Sequence, residues 1–438
     1  MSTPNLRGGN RPDPAVPVPD DHGAPPGGWP NPRNGFLFFL GFAGIGAAMA
    51  NLVPLVLTMS IKATAIDPQN ATTVLSVVVS VSALCSLVMF PVFGRLSDRT
   101  TGRLGRRRPY LLLGALLILI SAVVMLTATT TLTLAISGVL TSVGLSAATV
   151  ALTAVLPDQF APDRRGPGSA IVGLSLPVGA VVGLFIAQLV SPNLAAMILL
   201  PAGIGAAGCT LFAVTLKDRQ LSAAERAPFG WGELLSTFWV NPARHPSFGW
   251  AWLSRFLVFL GVAAVQAYQA FYLIRVLHFP PSEVAGAVFV STLVLTVAAL
   301  VFAPIASKVS DRIGRRKPFV IASALIFGVG LLLAAFANSF PFFLVAIGII
   351  GLGQGVYFAV DIALVTQVLP DPANPAKDLG IMNLASSLPS SVLPAIAPAI
   401  LAIGATAAAP ENFSALFVLG SIAGLLGAVL ILPIRTVR

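Results

Sequence analysis

Twelve long apolar runs constrain this chain more than any other feature of its sequence. A helix needs about 20 largely apolar residues to cross a hydrocarbon core of roughly 30 Å, and 56% of the residues are hydrophobic while only 10% are charged. The runs are apolar on every face, whereas the strands of a membrane barrel alternate in polarity over about 10 residues. We therefore predict an all-α integral membrane protein. Its twelve transmembrane helices have the approximate limits 36–60, 73–94, 110–129, 132–156, 169–191, 194–216, 248–274, 284–306, 318–337, 341–368, 379–403 and 413–433.

The sequence also contains an internal repeat. The stretch GRLSDRTTGRLGRRRP, which starts at Gly94, returns in shorter form as SDRIGRRKP, with Asp311 in the place of Asp98. The segment Val155–Asp158 likewise returns as Val368–Asp371, at the same spacing of 213 residues. Weak internal symmetry of this kind is typical of secondary transporters. It predicts two pseudo-symmetric six-helix bundles.

The predicted domain organisation follows from the repeat and from local composition. Residues 1–34 are rich in Pro and Gly with almost no apolar pattern, which predicts a disordered cytoplasmic tail. Residues 35–216 form the first bundle and residues 248–438 the second. Residues 217–247 form a cytoplasmic linker, in which Phe229–Leu235 predicts a short helix at the membrane interface. We interpret the linker as a tether rather than a docking site.

The distribution of basic residues predicts the orientation in the membrane. Lys and Arg are retained in cytoplasmic loops, and 23 of the 26 fall in the tail, the linker and the loops on their side. Lys62 and Arg275 fall on the other side. Both termini are therefore predicted to be cytoplasmic, and a bacterial inner membrane is expected because no targeting sequence precedes the first span. This bias, with attraction to anionic membrane lipid, explains the net charge of +10 without a nucleic-acid partner.

A family resemblance follows from these features. The motif G-x-x-x-D-R with G-R-R-x-P lies between spans 2 and 3, and its reduced copy lies between spans 8 and 9. With two sets of six spans and a long central loop, this pattern resembles the major facilitator superfamily. The insertion Thr100–Arg103 and the triplet Arg106–Arg108 are similar to the branch of sucrose and other disaccharide–proton symporters. The resemblance covers the chain from Phe36 onward, and it implies the major facilitator fold and transport by alternating access.

In that family the basic turns form a cytoplasmic gate, which latches the two halves while the cavity opens outward. Gly94 would let another helix approach closely, and Asp98 would face the positive end of a neighbouring helix. The alternative is that the arginines only enforce topology. The resemblance assigns the gate to two sets of residues, Gly94, Asp98, Arg99, Gly105 and Arg106 in the first copy and Asp311, Arg312, Gly314 and Arg315 in the second.

Two ionisable residues lie well inside predicted spans, where charges are costly and usually functional. Arg255 in span 7 and Asp361 in span 10 share a predicted depth of about 12 Å at a rise of 1.5 Å per residue. Since spans 7 and 10 line the cavity in the family, we predict that the two side chains touch and that protonation of Asp361 couples a proton to transport. The alternatives are a permanent ion pair, or Asp361 held by Arg315 and Arg316. The matching position in the first half is Ala148, whereas disaccharide symporters carry an acidic residue in span 4.

Uncharged polar residues are the candidate solute contacts, because a sugar needs hydrogen-bonding partners and an aromatic face. Two groups of Gln and Tyr with helical spacing fall in spans 7 and 10, and a lone amide falls in span 1. The alternative is that these residues bond helix to helix. The predicted contacts are Gln266, Tyr268, Gln269, Tyr272, Gln354, Tyr357 and Asn51.

Together these features predict a secondary active transporter that moves a small polar organic solute by proton-coupled symport. The solute is expected to be sugar-like, with a disaccharide as one option. The alternative is a proton-driven exporter of drugs or metabolites, although such exporters carry Gly-Pro in span 5, where this chain has Leu176–Gly179 (LPVG). A membrane-embedded enzyme or receptor is the remote alternative, because the sequence shows no nucleophile–base set, metal cluster or phosphate loop. We expect no catalytic residue, metal or cofactor, the proton as coupling ion, and function as a monomer.

Overall fold

The computed structural model describes residues 32, 34–218, 220, 244–370, 375–406 and 410–434. Within these ranges all regular secondary structure is helical, and twelve helices are long and apolar enough to cross a membrane. The predicted all-α fold with twelve spans is confirmed. The helices are α1 Phe36–Ile66, α2 Ala71–Asp98, α3 Arg108–Thr127, α4 Thr131–Gln159, α5 Gly166–Leu189, α6 Leu194–Thr215, α7 Pro246–Arg275, α8 Val284–Ile313, α9 Lys317–Ala335, α10 Phe340–Val365, α11 in two segments, Pro375–Ser387 and Pro389–Leu401, and α12 Phe413–Leu430.

Three predicted features fall on other parts of the chain. The tail lies outside the described residues except at positions 32 and 34, and the interfacial helix predicted at Phe229–Leu235 lies outside them entirely. Asp371, the counterpart of Asp158 in the internal repeat, also lies outside them. These predictions therefore stay predictions.

Some helices extend beyond their apolar runs. The run that predicts α8 ends at residue 306, but the helix continues to Ile313, where Gly314 ends it with a left-handed φ of 67°. In the same way α2 continues to Asp98. Hydropathy marks only the part of a helix inside the hydrocarbon core. Backbone hydrogen bonding continues until a residue such as glycine can end the helix.

Two of the helices are interrupted at proline. In α1 the five residues Pro54–Thr58 form a π-helical turn between two α-helical segments. In α11 the regular helix breaks at Leu388, directly before Pro389. Proline has no N–H group to donate, so it weakens the helix at these points. Such breaks are tolerated in membranes where the backbone is buried in protein or lines a cavity.

The helices pack in two groups with equivalent contacts. Helix α1 packs against α5 and α6, and α4 packs against α2 and α3; the pairs α7 with α11 and α12, and α10 with α8 and α9, repeat this arrangement six helices later. Between the groups, α2 packs against the second segment of α11, and α5 packs against α8. The duplicated sequence thus gives a duplicated packing pattern.

The two ends of the bundle differ in how the halves meet. We call the end with the turns at 99–107 and 314–316 the basic end, and the other the opposite end. At the opposite end one hydrophobic cluster includes residues of both halves, such as Leu75, Leu184 and Leu393. At the basic end the described residues form separate clusters, around Leu40, Leu156 and Phe212 in the first half and around Phe248, Leu364 and Ile434 in the second. The halves are therefore joined at the opposite end and separate at the basic end.

Candidate functional site

The two intramembrane charges predicted from the sequence form an ion pair. Nη1 of Arg255 in α7 lies 3.0 Å from Oδ2 of Asp361 in α10, and the two side chains are only 13% and 7% exposed. This contact was predicted from their equal depth and is confirmed. It also answers the alternative in which Arg315 and Arg316 hold Asp361. Helices α7 and α10 are not among the closely packed helix pairs, and this ion pair and the ring contacts of Phe259 with Tyr357 and Phe358 link them.

Aromatic side chains surround the pair. The hydroxyl of Tyr357 donates a hydrogen bond to Asp361. The guanidinium of Arg255 lies over the ring of Phe259, 5.7 Å from its centroid, in a favourable cation–π position. Phe259 in turn contacts the ring of Phe358, which is 42% exposed. The pair therefore lies in the hydrophobic cluster of the second half, close to an exposed aromatic surface.

One atom of this arrangement has no partner. Nε of Arg255 is buried without a hydrogen-bond acceptor among the described residues, while Nη1 faces Asp361. A guanidinium presents its N–H groups as a planar fork that can bind a carboxylate at two points. Arg255 thus retains unused hydrogen-bonding capacity.

Helix α10 is less regular near Asp361 than the sequence predicts. The apolar run suggests a helix to residue 368, but the α-helix ends at Val365. Beyond it the chain forms a 3₁₀-type turn with two i to i−3 hydrogen bonds. The N–H of Gln367 donates to the carbonyl of Leu364, and the N–H of Val368 donates to the carbonyl of Val365. Asp361 therefore lies one turn before the change from α-helix to tighter winding.

The predicted solute contacts divide into two sets. Gln266, Gln354 and Asn51 are half-buried, and within the described part of the chain their side chains make no hydrogen bond. Gln269 is buried, with 4% exposure. The amides of the first three residues are therefore free to bind a polar ligand.

The hydroxyl groups of the three tyrosines in the predicted set already have hydrogen-bond partners. The hydroxyl of Tyr268 lies 2.6 Å from Oγ of Ser76 in the other half. Tyr272 donates to the carbonyl of Ala337 and stacks on Phe343 inside the second half. Tyr357 bonds to Asp361, so none of the three presents a free hydroxyl.

The first basic turn is an ion-pair network centred on Arg107. This side chain is almost fully buried and donates to Asp158 at 2.7 Å, to Ser97 at 2.5 Å and to Asp98, whose Oδ1 lies 2.8 Å from Nη2. Arg106 also pairs with Asp98 at 2.8 Å. Burial acts to lower the pKa of Arg107, but Asp158 and Asp98 outweigh it and raise that pKa. Of this network only Asp98 and Arg106 were among the predicted gate residues; Arg107 and Asp158 were not, although Asp158 belongs to the repeated VLPD segment.

The linker supplies a further carboxylate to this turn. Oδ2 of Asp218 accepts hydrogen bonds from the N–H groups of Arg107 and Arg108 at 2.6 and 2.9 Å, so it occupies the positive N-terminal end of α3. Gly105 takes a left-handed φ of 89°, and a Cβ there would collide with Asp218. Burial raises the pKa of Asp218, and this outweighs the lowering by the two N–H groups. No sequence pattern pointed to Asp218.

The second basic turn is simpler. Its Asp311 pairs with Arg316 at 3.4 Å, and the side chain of Asp311 is 62% exposed. Both turns do share one contact. Arg108 donates to the carbonyls of Val214 and Leu216 at the end of α6, and Lys317 donates to those of Leu432 and Ile434 after α12.

The gate residues predicted by resemblance are arranged for an open basic end. Asp98 bonds within its own half and is 57% exposed. A Cβ built on Gly94 would meet no atom within 4 Å, so the close helix approach expected there is absent in this conformation. Gly105 and Gly314 both have positive φ, which explains why each copy keeps a glycine. Whether these residues latch the halves stays a prediction, and so do the roles of Arg99, Arg312 and Arg315.

Polar contacts join the halves at the opposite end. Besides the Ser76–Tyr268 bond, Thr72 of α2 bonds to Glu411, Arg275 donates to the carbonyl of Pro68 at 2.7 Å, and Ser191 donates to the carbonyl of Ser282 at 3.3 Å. Helices α2, α5 and α11, which pack between the halves, also bury unsatisfied polar atoms. Among the described residues, the hydroxyls of Ser80 and Ser391 and Oε1 of Gln188 are buried without partners.

Comparison with known proteins identifies the family. A family model described as the Major Facilitator Superfamily matches residues 34–300 and 289–438. The chain belongs to the major facilitator superfamily. It is therefore a multi-pass membrane transporter and not an enzyme. The finer resemblance to disaccharide symporters is not established by this match.

The solved structures that this chain resembles share its fold at low sequence identity. An uncharacterized MFS-type transporter YfiU of Bacillus subtilis (strain 168) is 36% identical over 106 residues, which are 24% of this chain and 20% of that protein. The nucleoside transporter NupG is 12% identical, with a TM-score of 0.75 over 91% of this chain and 100% of its own. A bacterial homologue of the human lysosomal transporter Spinster, in an inward-facing and occupied conformation, has a TM-score of 0.68 at 13% identity, covering 91% and 96%. A POT family transporter in complex with a thioalcohol-conjugated peptide has a TM-score of 0.69 at 16% identity, covering 92% and 97%.

Proposed function

We propose that this superfamily member is a proton-coupled symporter of a small polar, sugar-like solute, and that Asp361 carries the proton. The observation that carries the proposal is the buried ion pair of Asp361 with Arg255. Removing one charge from a buried pair is strongly destabilising. Protonation of Asp361 would therefore weaken the link between α7 and α10 and bias the transporter toward another conformation.

The solute would bind between the halves. Gln266 on α7, Gln354 on α10 and Asn51 on α1 are half-buried amides with free hydrogen-bonding groups, which is what a hydroxyl-rich ligand requires. The nearby exposed ring of Phe358 would supply an apolar face. A disaccharide is one solute of this class, and the long first basic turn is the feature that supports it.

The orientation proposed from the basic residues places the basic end in the cytoplasm, with both termini on that side. The described conformation, separate at the basic end, would then be open to the cytoplasm. The basic turns would form the gate that closes this end in the other conformation. We further propose that the protein functions as a monomer in a bacterial inner membrane, with anionic lipid at its basic face.

Solute-driven pH change in proteoliposomes tests the proposal. Sucrose, maltose, other neutral sugars, uronic acids and amphipathic drugs are added to the full chain, to Asp361→Asn and to Asp163→Asn, a control at an exposed carboxylate. We expect a solute to draw protons inward with it in the wild type and the control, while Asp361→Asn keeps solute exchange and loses proton movement. The double variant Arg255→Gln/Asp361→Asn, which leaves no unpaired charge, should likewise lose proton movement. Proton movement opposite to a drug would instead establish an exporter, and unchanged proton coupling in Asp361→Asn would remove Asp361 from the mechanism.

A further inference from the structure

We infer that the transported solute carries an acidic group, such as a carboxylate, which replaces Asp361 on Arg255 when Asp361 takes up the proton. This inference rests on the proposed function, because it follows Asp361 through its protonated state. The proton comes from water in the cavity and neutralises the carboxylate of Asp361. Arg255 keeps its charge throughout, so one solute anion and one proton cross together and no net charge moves.

Arg255 needs a counter-ion in every protonation state of Asp361. Its side chain is mostly buried beside the rings of Phe259 and Tyr357, and the carboxylate that it pairs with among the described residues is that of Asp361. A buried guanidinium without a partner is strongly disfavoured and, unlike Asp361, cannot lose its charge by titration. When Asp361 becomes neutral, another anion must therefore take its place.

The protein offers few replacements. In the helices that pack against α7, which are α1, α8, α9, α11 and α12, the described carboxylates are Asp311 and Asp378. Asp311 lies in the second basic turn and pairs with Arg316. Asp378 is buried at the start of α11 and already has an interaction of its own. The basic groups on these helices, such as Lys308 and Arg312, would not help. Asp378 is thus the internal competitor that a test must address.

The guanidinium of Arg255 also has an edge that bonds to nothing. Nη1 of Arg255 faces Asp361, while Nε is buried without a partner. A planar carboxylate accepts two parallel hydrogen bonds from an arginine, one to Nε and one to a terminal nitrogen. Phe259 lies below the guanidinium at 5.7 Å and limits its tilt. An incoming carboxylate would therefore satisfy a donor that the protein leaves unbonded.

The first half provides no second site for such an anion. The position that matches Asp361 is Ala148, which is fully buried, and the arginines of the described first-half helices, Arg95 and Arg108, lie in the terminal turns of α2 and α3 at the basic end. The binding of an acidic group would therefore depend on Arg255 alone. The free amides of Gln266, Gln354 and Asn51 would bind the hydroxyl groups of the same solute.

Chemical rescue by small carboxylates tests the inference without knowledge of the natural solute. Purified full-length Asp361→Asn is unfolded thermally in sodium acetate, sodium formate or sodium chloride at equal ionic strength. We expect both carboxylates to raise its melting temperature above the value in chloride. Wild type and Arg255→Gln/Asp361→Asn should show no such difference, because in them Arg255 is paired or absent. No stabilisation by carboxylate would overturn the inference. Rescue that appears only when Asp378→Asn is combined with Asp361→Asn would also overturn it. In that case Asp378 would be the group that replaces Asp361 on Arg255, and no solute anion would be needed.

Transport by the wild type gives a second, independent readout. Uptake of glucuronate and galacturonate is compared with uptake of glucose and galactose, which differ from them only at the acidic group. We expect the acids to be taken up at least tenfold faster, and Arg255→Gln to lose this preference. Equal or faster uptake of the neutral sugars overturns the inference, and this result also decides the matter if Asp361→Asn does not fold in any salt. Neutral sugars that still draw protons through Asp361 would leave the proposed function standing without this refinement.

Discussion

At the opposite end the halves share one hydrophobic cluster and polar contacts such as Ser76–Tyr268, whereas at the basic end each half bonds its charged groups to itself. Helices α2 and α11, which pack together between the halves, also bury the unbonded hydroxyls of Ser80 and Ser391. The separate end leaves Arg107 fully paired within the first half, and among the described residues its own buried unbonded atom is Nε of Arg106. The comparison teaches that an open end need not expose unsatisfied charges, and that a closed end can contain the polar atoms that favour its reopening.

The largest effect is expected from breaking the network of the first basic turn. Arg107→Ala removes a buried guanidinium and leaves Asp158 without its main partner. Loss of one member of a buried ion pair costs about 3–5 kcal/mol. We therefore expect a large drop in the free energy of unfolding, measured by thermal or denaturant unfolding in detergent.

The second basic turn supplies the matched control for that variant. Arg316→Ala removes the equivalent arginine, but its partner Asp311 is largely exposed. An exposed pair contributes only about 0–1 kcal/mol, so the loss should be small. Equal losses in the two variants would contradict the difference that we describe between the turns.

A second prediction concerns closure of the basic end. A Cβ at Gly94 would meet no atom within 4 Å in the described conformation, so we expect Gly94→Leu to leave the stability of this conformation unchanged. If the halves approach at Gly94 when the basic end closes, the added side chain would overpack the contact at a cost of about 1–3 kcal/mol. Spin-label distances between the halves should show the closed population falling roughly tenfold or more, with slower transport.

Gly203→Leu is the control for closure, because a Cβ at Gly203 in α6 would also meet no atom within 4 Å and Gly203 is outside the predicted gate. It should change neither the distances nor transport. An unaltered closed population in Gly94→Leu would remove Gly94 from the gate.

A third prediction compares two hydroxyls at the opposite end. Tyr268→Phe loses the hydrogen bond to Ser76, which contributes about 0.5–1.5 kcal/mol, and should shift the population toward opening at that end. Ser391→Ala removes a buried hydroxyl that has no partner and should shift it the other way. Labelling of single cysteines near Thr72 reports both populations. Shifts in the same direction would show that Ser391 has a partner in the closed state.

The smallest effect is a pH dependence at the linker. Burial raises the pKa of Asp218 above its ordinary value of 3.8. The folded protein then binds more protons than the unfolded chain, so the contribution of Asp218 to stability falls as pH rises through the window above 3.8. Asp218→Asn keeps an oxygen acceptor for α3 and should remove this slope. Unfolding measured from pH 4 to pH 8 checks it, and an identical slope in both proteins would contradict the assignment.

The fold could be predicted from sequence because its main constraint is the lipid bilayer, which requires long apolar helices. The lengths of the apolar runs predicted all twelve helices. The equal depth of Arg255 and Asp361 in their spans predicted the contact between them. The ends of helices were less predictable, since Gly314 rather than hydropathy ends α8. The network around Arg107 was missed because it depends on which of three adjacent arginines turns inward. Asp218 was missed because it meets α3 only through folding of distant segments.

The capping contacts of Arg108 and Lys317 have a consequence for how such a chain can be divided. Each basic side chain binds the carbonyl groups that follow the sixth helix of its own half, so each six-helix unit closes its final helix without help from the other. A gene cut between the codons for residues 221 and 243 would therefore leave two polypeptides with complete helix termini. Co-expressed, these could assemble as subunits, which describes how an unfused ancestor of the repeat could have worked.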